Sequence, residues 1–268
     1  MKIKKNTQSM QLSSILHSPI FSTSNYKIEA QERTLVSYQI SRTKNERIIY
    51  NGLELNTSDD FPLFAIIMSK YQQTKNFKVV LYENDLFDAL RISLDARKKT
   101  KKEVIRKRLK RLEMCNIELL YYDESNSHEI DSFTTRLSFS LFESTFYDLK
   151  SGEITVNLNG RIGDVATADF SKELIDLTVF YKIKTQYAKA TYLFLQTKKF
   201  KKQKYFYLSL DEMIERFGHS KMVKREKKRK LKIALEQLVT LNHIGDFEFL
   251  KDDGVEKVKI INKKKKVN

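Results

Sequence analysis

Ten lysines and arginines against one glutamate fill residues 97–111 (RKKTKKEVIRKRLKR), and eight against one fill residues 221–232 (KMVKREKKRKLK). Permanent positive charge at this density neutralises phosphates and displaces their counterions. The two segments carry +9 and +7, the whole formal charge of +16, and the remaining residues balance at 32 basic against 32 acidic. A single basic run is usually a solvated helix face. Two matching runs in an otherwise neutral chain point to two docking surfaces for a polyanion, with nucleic acid the first candidate.

Other chemistry is poorly represented. There is no GxxxxGK[ST] phosphate loop, and the seven scattered glycines form no GxGxxG. The four histidines, His17, His128, His219 and His243, have no HxH or HExxH spacing, so no metal site and no metal-dependent strand-nicking centre is expected. Asp59/Asp60 and Asp252/Asp253 are paired carboxylates better suited to cap and turn roles, and Cys115 to packing as a small apolar group. His219, beside Gly218, reads as a turn residue. No catalytic residues and no cofactor are expected, and the protein should not be an enzyme.

The elements around the basic runs repeat. Asp59 or Asp60 should cap a helix entered by Pro62 and carrying Phe64, Ile67, Met68 and Tyr71. Strand Lys78–Tyr82 follows, then a small helix capped by Asn84, then a basic helix from about Thr100 to Met114. Ile105, Leu109 and Leu112 form its apolar face. Strand-like segments Ile117–Tyr122 and Thr134–Phe142 come next, around the polar loop Asp123–Ser132. The second pass has a helix over Thr185–Gln196, strand Tyr205–Leu208, and a helix capped by Ser209 and closed by Gly218. The second basic helix spans about Met222 to Leu241 with Leu231, Leu235 and Leu238 inward, before strands Ile244–Leu250 and Val255–Ile261. Leu81, Asn84 and Leu86 match Leu208, Asp211 and Met213 at a spacing of 127; the three inward positions of the basic helices match at 126, and Ile117 matches Ile244 at 127.

Helix, strand, helix, basic helix, hairpin is the order of a winged helix-turn-helix. The expected fold is therefore α+β and helix-rich, with two tandem winged helix-turn-helix domains joined through Phe146–Leu177. Residues 1–33 read as a loose arm, 34–160 as the first domain, 161–262 as the second and 263–268 as a basic tail. Such a helix enters the major groove with its N-terminal residues toward base edges. That nominates Lys98, Lys99, Lys101, Lys102 and Arg106 in the first domain, and Lys221, Lys224, Arg225, Lys228 and Arg229 in the second. Arginine suits bidentate contact with guanine, so readout falls to Arg106, Arg225 and Arg229, and phosphate anchoring to the lysines. Lys251 and Lys257 sit at the second hairpin's tip, placed for a minor groove or flanking phosphate, and Lys263–Lys266 would add nonspecific affinity.

The arrangement resembles plasmid replication initiator (Rep) proteins built from tandem winged-helix domains, including the TrfA/RepC-like branch. YNGLELNTSDDFPLFAIIM (50–68) looks like the opening of their first domain and YKIKTQYAKATYLFLQTKK (181–199) like the start of the second. SLDEMIERFG (209–218) and VKREKKRKLKIALEQL (223–238) are similar to their capped short helix and recognition helix. The similarity spans about residues 34–262. It implies binding to origin repeats (iterons), opening of an adjacent AT-rich region, and recruitment of the host initiator and helicase. It also implies a possible homodimer through the first domain that represses its own gene. This chain departs from the family in its lysine runs, where strong sequence reading would use more Arg, Asn or Gln, which gives DNA shape a larger part.

One cysteine excludes an intrachain disulfide and suits a reducing bacterial cytoplasm. MKIKK opens like a signal peptide, but polar NTQSMQLSS follows it, so no secretory leader is expected. The longest apolar run, Phe61 to Met68, is too short for a membrane span. A transcription regulator without a replication role is the alternative, and would bind a palindrome rather than direct repeats. An RNA-binding protein would instead prefer A-form duplex.

Overall fold

The computed structural model describes residues 8–12, 20–23, 35–43, 46–93, 95, 97, 102–122, 133–162, 172–198, 203–218 and 222–263. The elements among the described N-terminal residues are strands: β1 (Gln8–Leu12), β2 (Phe21–Ser22), β3 (Leu35–Thr43), β4 (Glu46–Leu53) and β5 (Leu55–Asn56). Helix α1 (Asp60–Thr74), β6 (Lys78–Tyr82), α2 (Glu83–Ala89) and α3 (Lys102–Glu113) follow. Next come β7 (Asn116–Tyr122), β8 (Phe133–Ser140), β9 (Phe142–Tyr147), β10 (Glu153–Leu158) and β11 (Lys172–Asp176). The chain continues with α4 (Leu177–Lys182), α5 (Gln186–Gln196), β12 (Tyr205–Ser209), α6 (Leu210–Glu215), α7 (Lys224–Thr240), β13 (Asp246–Asp252) and β14 (Val255–Ile261). Strand and helix share the described residues about equally, so the fold is mixed α and β rather than helix-rich.

Two three-stranded antiparallel sheets have the same order, β6-β10-β9 and β12-β14-β13. Their registers also agree: Leu81 faces Ile154, which faces Tyr147, as Leu208 faces Val258, which faces Phe249. β6 and β12 start at 78 and 205, and α2 and α6 at 83 and 210, keeping the 127-residue spacing of the sequence. Alternation puts Val79, Leu81, Ile154 and Val156 inside one module and Phe206, Leu208, Val258 and Ile260 inside the other.

The first hairpin is not where the sequence predicts it. β7 and β8 (117–122 and 134–142 in the sequence reading) belong to a separate four-stranded sheet, β3-β4-β7-β8, and the true counterpart of β13–β14 is β9–β10. Leu141 N donates to Cys115 O at 3.0 Å, so residues 116–140 leave and re-enter the module at neighbouring points. The stretch read as a connection from Phe146 therefore completes the first sheet. A hairpin inserted ahead of another hairpin carries the same alternating signal, and only pairing tells them apart.

Local capping follows the sequence in some places only. Ser209 accepts from Glu212 N at the start of α6 as expected, whereas Thr185, expected as the first residue of its helix, precedes α5 and accepts from Ala188 N. Asn84 caps nothing, since Tyr82 is the residue preceding α2. Asp59 makes no side-chain cap either; Asn56 Oδ1 accepts from Ser58 N and Asp59 N and shapes that turn. Gly218 closes α6 at φ +75°, and a Cβ there would collide with Glu54 Oε1 and the Ser22 side chain.

Helix α1 is buried on every side, as its run of apolar residues requires. Phe61 packs against Phe180 of α4 at 5.1 Å and against Phe21 at 5.2 Å. The N-terminal segment is thus not a loose arm where described: Ile20 and Phe21 are core, and β1 pairs with β11. Thr23 Oγ1 donates to Phe217 O at 2.9 Å and Tyr181 OH to Ala89 O at 3.0 Å, so both modules meet the same central layer.

His243, just after α7, meets the Tyr192 ring edge to face with centroids 4.6 Å apart, and its Nε2 lies 2.8 Å from the Gln196 amide nitrogen. Burial pushes its pKa down to about 4, with Lys263 adding to the shift and Asp176 opposing it. Between the unfolded value of 6.5 and the folded value near 4, only the unfolded chain binds the proton. Stability conferred by the neutral ring is therefore lost as pH falls through that window, by up to about 3 kcal/mol. Urea midpoints at about pH 7 and pH 4.5 should differ more for the wild type than for His243→Gln.

Candidate nucleic-acid interface

Helix α7 buries Leu231, Ala234, Leu235 and Leu238. The spacing of these residues turns Arg225, Arg229 and Lys232 outward on a single stripe, all three exposed. Arg225 has no ion-pair partner among the described residues, whereas Arg229 is held by Glu226, Nε to Oε2 at 2.9 Å and Nη2 to Oε1 at 2.6 Å. Lys232, absent from the sequence nominees, was signalled by its position seven residues after Arg225.

Lys224 and Lys228 lie on the flank of that stripe and are engaged within the protein. Lys224 Nζ is 2.7 Å from Asp211 Oδ1 of α6 and 3.4 Å from Glu256 Oε2 of β14. Lys228 Nζ donates to Glu256 Oε1 at 2.5 Å and lies 5.4 Å from the Phe249 ring centroid. The hydrogen bond from Lys228, and then that from Lys224, holds the Glu256 carboxyl below its usual range, and the Asp211 carboxylate raises Lys224. These pairs are partly or fully exposed and contribute little to stability; their effect is on how available the charges are.

The hairpin β13–β14 turns at Asp253 and Gly254, both at positive φ. Lys251 faces Glu256 across the pair and so lies on the helix side, while Lys257 faces Leu250 on the other side. Lys257 is also ion-paired to Asp252 at 2.7 Å. Of the two hairpin nominees, Lys251 alone joins the α7 surface.

In the first module Ile105, Leu109 and Leu112 are buried and Arg106 is exposed, at the position matching Lys232. Lys102 is the first residue of α3; Lys98, Lys99, Lys101 and Lys221 lie outside the described residues, as do His219 and Lys264–Lys266. Two of the arginines turn inward. Arg108 Nη2 is 2.8 Å from Asp59 Oδ1, and buried Arg111 pairs with fully buried Asp60, its Nε 3.1 Å from both carboxylate oxygens. The signal for this was present: Asp-Asp at 59–60 and arginines three residues apart at 108 and 111. Cys115 is buried as expected, and burial pushes its thiol up to about 12.

Among the described residues no three His, Cys, Asp or Glu side chains converge to hold a metal, and no helix is long and apolar enough to cross a membrane. The site is a pair of exposed cationic surfaces on a duplicated mixed α and β scaffold. No protein-family model matches the chain, and no curated protein does. The fold is shared with the Pi initiator protein, solved in complex with iteron DNA: TM-score 0.56 and 13% identity over 98% of this chain and 100% of that one. It is shared too with domains 2 and 3 of RctB, at TM-score 0.53 and 14% identity over 91% of this chain and 98% of that one.

Asp60→Ala would leave the Arg111 guanidinium buried without its carboxylate, at a cost of about 3–5 kcal/mol. The double variant Asp60→Ala/Arg111→Met should be more stable than Asp60→Ala alone. Urea unfolding of the three proteins tests this; equal stability of the single and double variants would refute it.

Proposed function

We propose that this chain is a plasmid replication initiator that binds the repeated duplex sites of an origin through two winged-helix modules. The observation that carries this reading is the shared strand register of the two modules, each presenting one basic helix outside its sheet. The fold shared along nearly the whole chain with a protein solved on iteron DNA supports it.

In this reading α3 and α7 enter successive major grooves of one repeat. Arg225 and Arg229 read bases from the α7 stripe, Arg106 does so from α3, and Lys232 and Lys251 contact phosphates. The protein catalyses nothing: binding distorts the neighbouring AT-rich duplex and assembles the host initiator and helicase beside it. A homodimer through the first module would repress the protein's own gene. The setting is the bacterial cytoplasm.

Selection of bound fragments from random duplex DNA at physiological salt should return direct repeats about two helical turns long. A palindrome would favour a transcription regulator, and no enrichment would reject the initiator. Arg225→Ala with Arg229→Ala should weaken the selected site by about 10- to 100-fold and random DNA much less. Lys251→Ala should weaken both alike and reduce the salt slope by about one.

A further inference from the structure

The two modules differ at one place that the repeat makes visible. By strand register Glu256 corresponds to Gly152, and by the 127-residue spacing Asp211 corresponds to Asn84. In the first module Glu83 N donates to Gly152 O, at the junction where α2 meets β10. The second module thus has two carboxylates, from α6 and β14, where the first has an amide and a glycine. Both carboxylates hold lysines of the reading helix, Asp211 taking Lys224 and Glu256 taking Lys224 and Lys228.

Resting on the initiator reading, we infer that Asp211 and Glu256 are specificity-determining residues that act by competing with DNA phosphate for Lys224 and Lys228. Nonspecific binding is driven almost wholly by the release to solution of the counterions condensed on phosphates when free protein cations replace them. A lysine already neutralised by a fixed carboxylate gains little from a passing phosphate, and its release leaves an anion facing the polyanion. Lys224 and Lys228 therefore engage DNA only where Arg225 and Lys232 have docked on their site and brought a phosphate close enough to displace both carboxylates. The side chains are accessible enough for that exchange, at 52% and 39% exposure. At the two equivalent positions, Asn84 and Gly152, the first module carries no carboxylate, so this competition belongs to the second.

The test uses the full chain, a selected site and a random duplex of equal length, with affinities measured across a salt series. Glu256→Gln and Asp211→Asn should each raise affinity for random duplex about 5- to 10-fold at low salt and steepen its salt slope by about one to two. Affinity for the selected site should rise less, so the specificity ratio falls. Asp246→Asn, which removes an equal charge from an exposed position outside the pairs, is the control. An unchanged slope in both variants, or the same gain from Asp246→Asn, overturns the competition. If the wild-type chain binds no duplex at all, the initiator reading fails and takes the inference with it.

Discussion

Asp60, with no exposed surface, is the anion about which the first module is arranged. Arg111 comes to it from α3, and Asn56 N donates to it from the preceding turn at 2.9 Å. A buried carboxylate and a buried guanidinium are each costly alone, so the closed packing of α1 on α3 depends on the pair. The pair also fixes how α3 is rotated about its own axis. With Arg111 and Arg108 turned toward the interior beside Ile105, Leu109 and Leu112, Arg106 is left facing water.

The second module meets the same problem, eight positive charges within twelve residues, by other means. Its helix keeps only apolar residues inside, and the acids that relieve repulsion are at the surface: Glu226, Asp211 and Glu256. Buried pairing makes a helix immovable; surface pairing leaves charges that a stronger anion can recruit. The two basic runs look alike as sequences but have different electrostatic roles. One spends part of its charge on its own core, and the other holds it in reserve.

What joins the modules is apolar. Phe61, Phe180 and Phe21 form a cluster beneath α1, and Gly218 lets α6 end against Ser22 and Glu54 with no side chain between them. The inserted strands β7 and β8 extend β3 and β4 into a sheet of their own without disturbing the repeat, because Cys115 and Leu141 are hydrogen-bonded neighbours. An insertion costs a module little when its ends are adjacent.

Much of this was legible in the residues. Charge segregation, the inward Ile/Leu seams, the limits of β6 and β14, the cap at Ser209, and the repeat itself are local patterns, set by periodicity and by backbone groups within a few residues. Other features were beyond local reading because they depend on partners far along the chain. Alternation in 117–122 and 134–142 announces strands but not which sheet they join. Ile20 and Phe21 sit in a polar stretch too short to show a period, yet they complete a core built by α1 and α4. Above all, a lysine's sequence neighbours do not reveal whether its charge is free: Lys224 and Lys228 differ from Arg225 only because Asp211 and Glu256 are brought beside them. Periodicity sets which way a side chain points; the tertiary fold alone decided what it meets there.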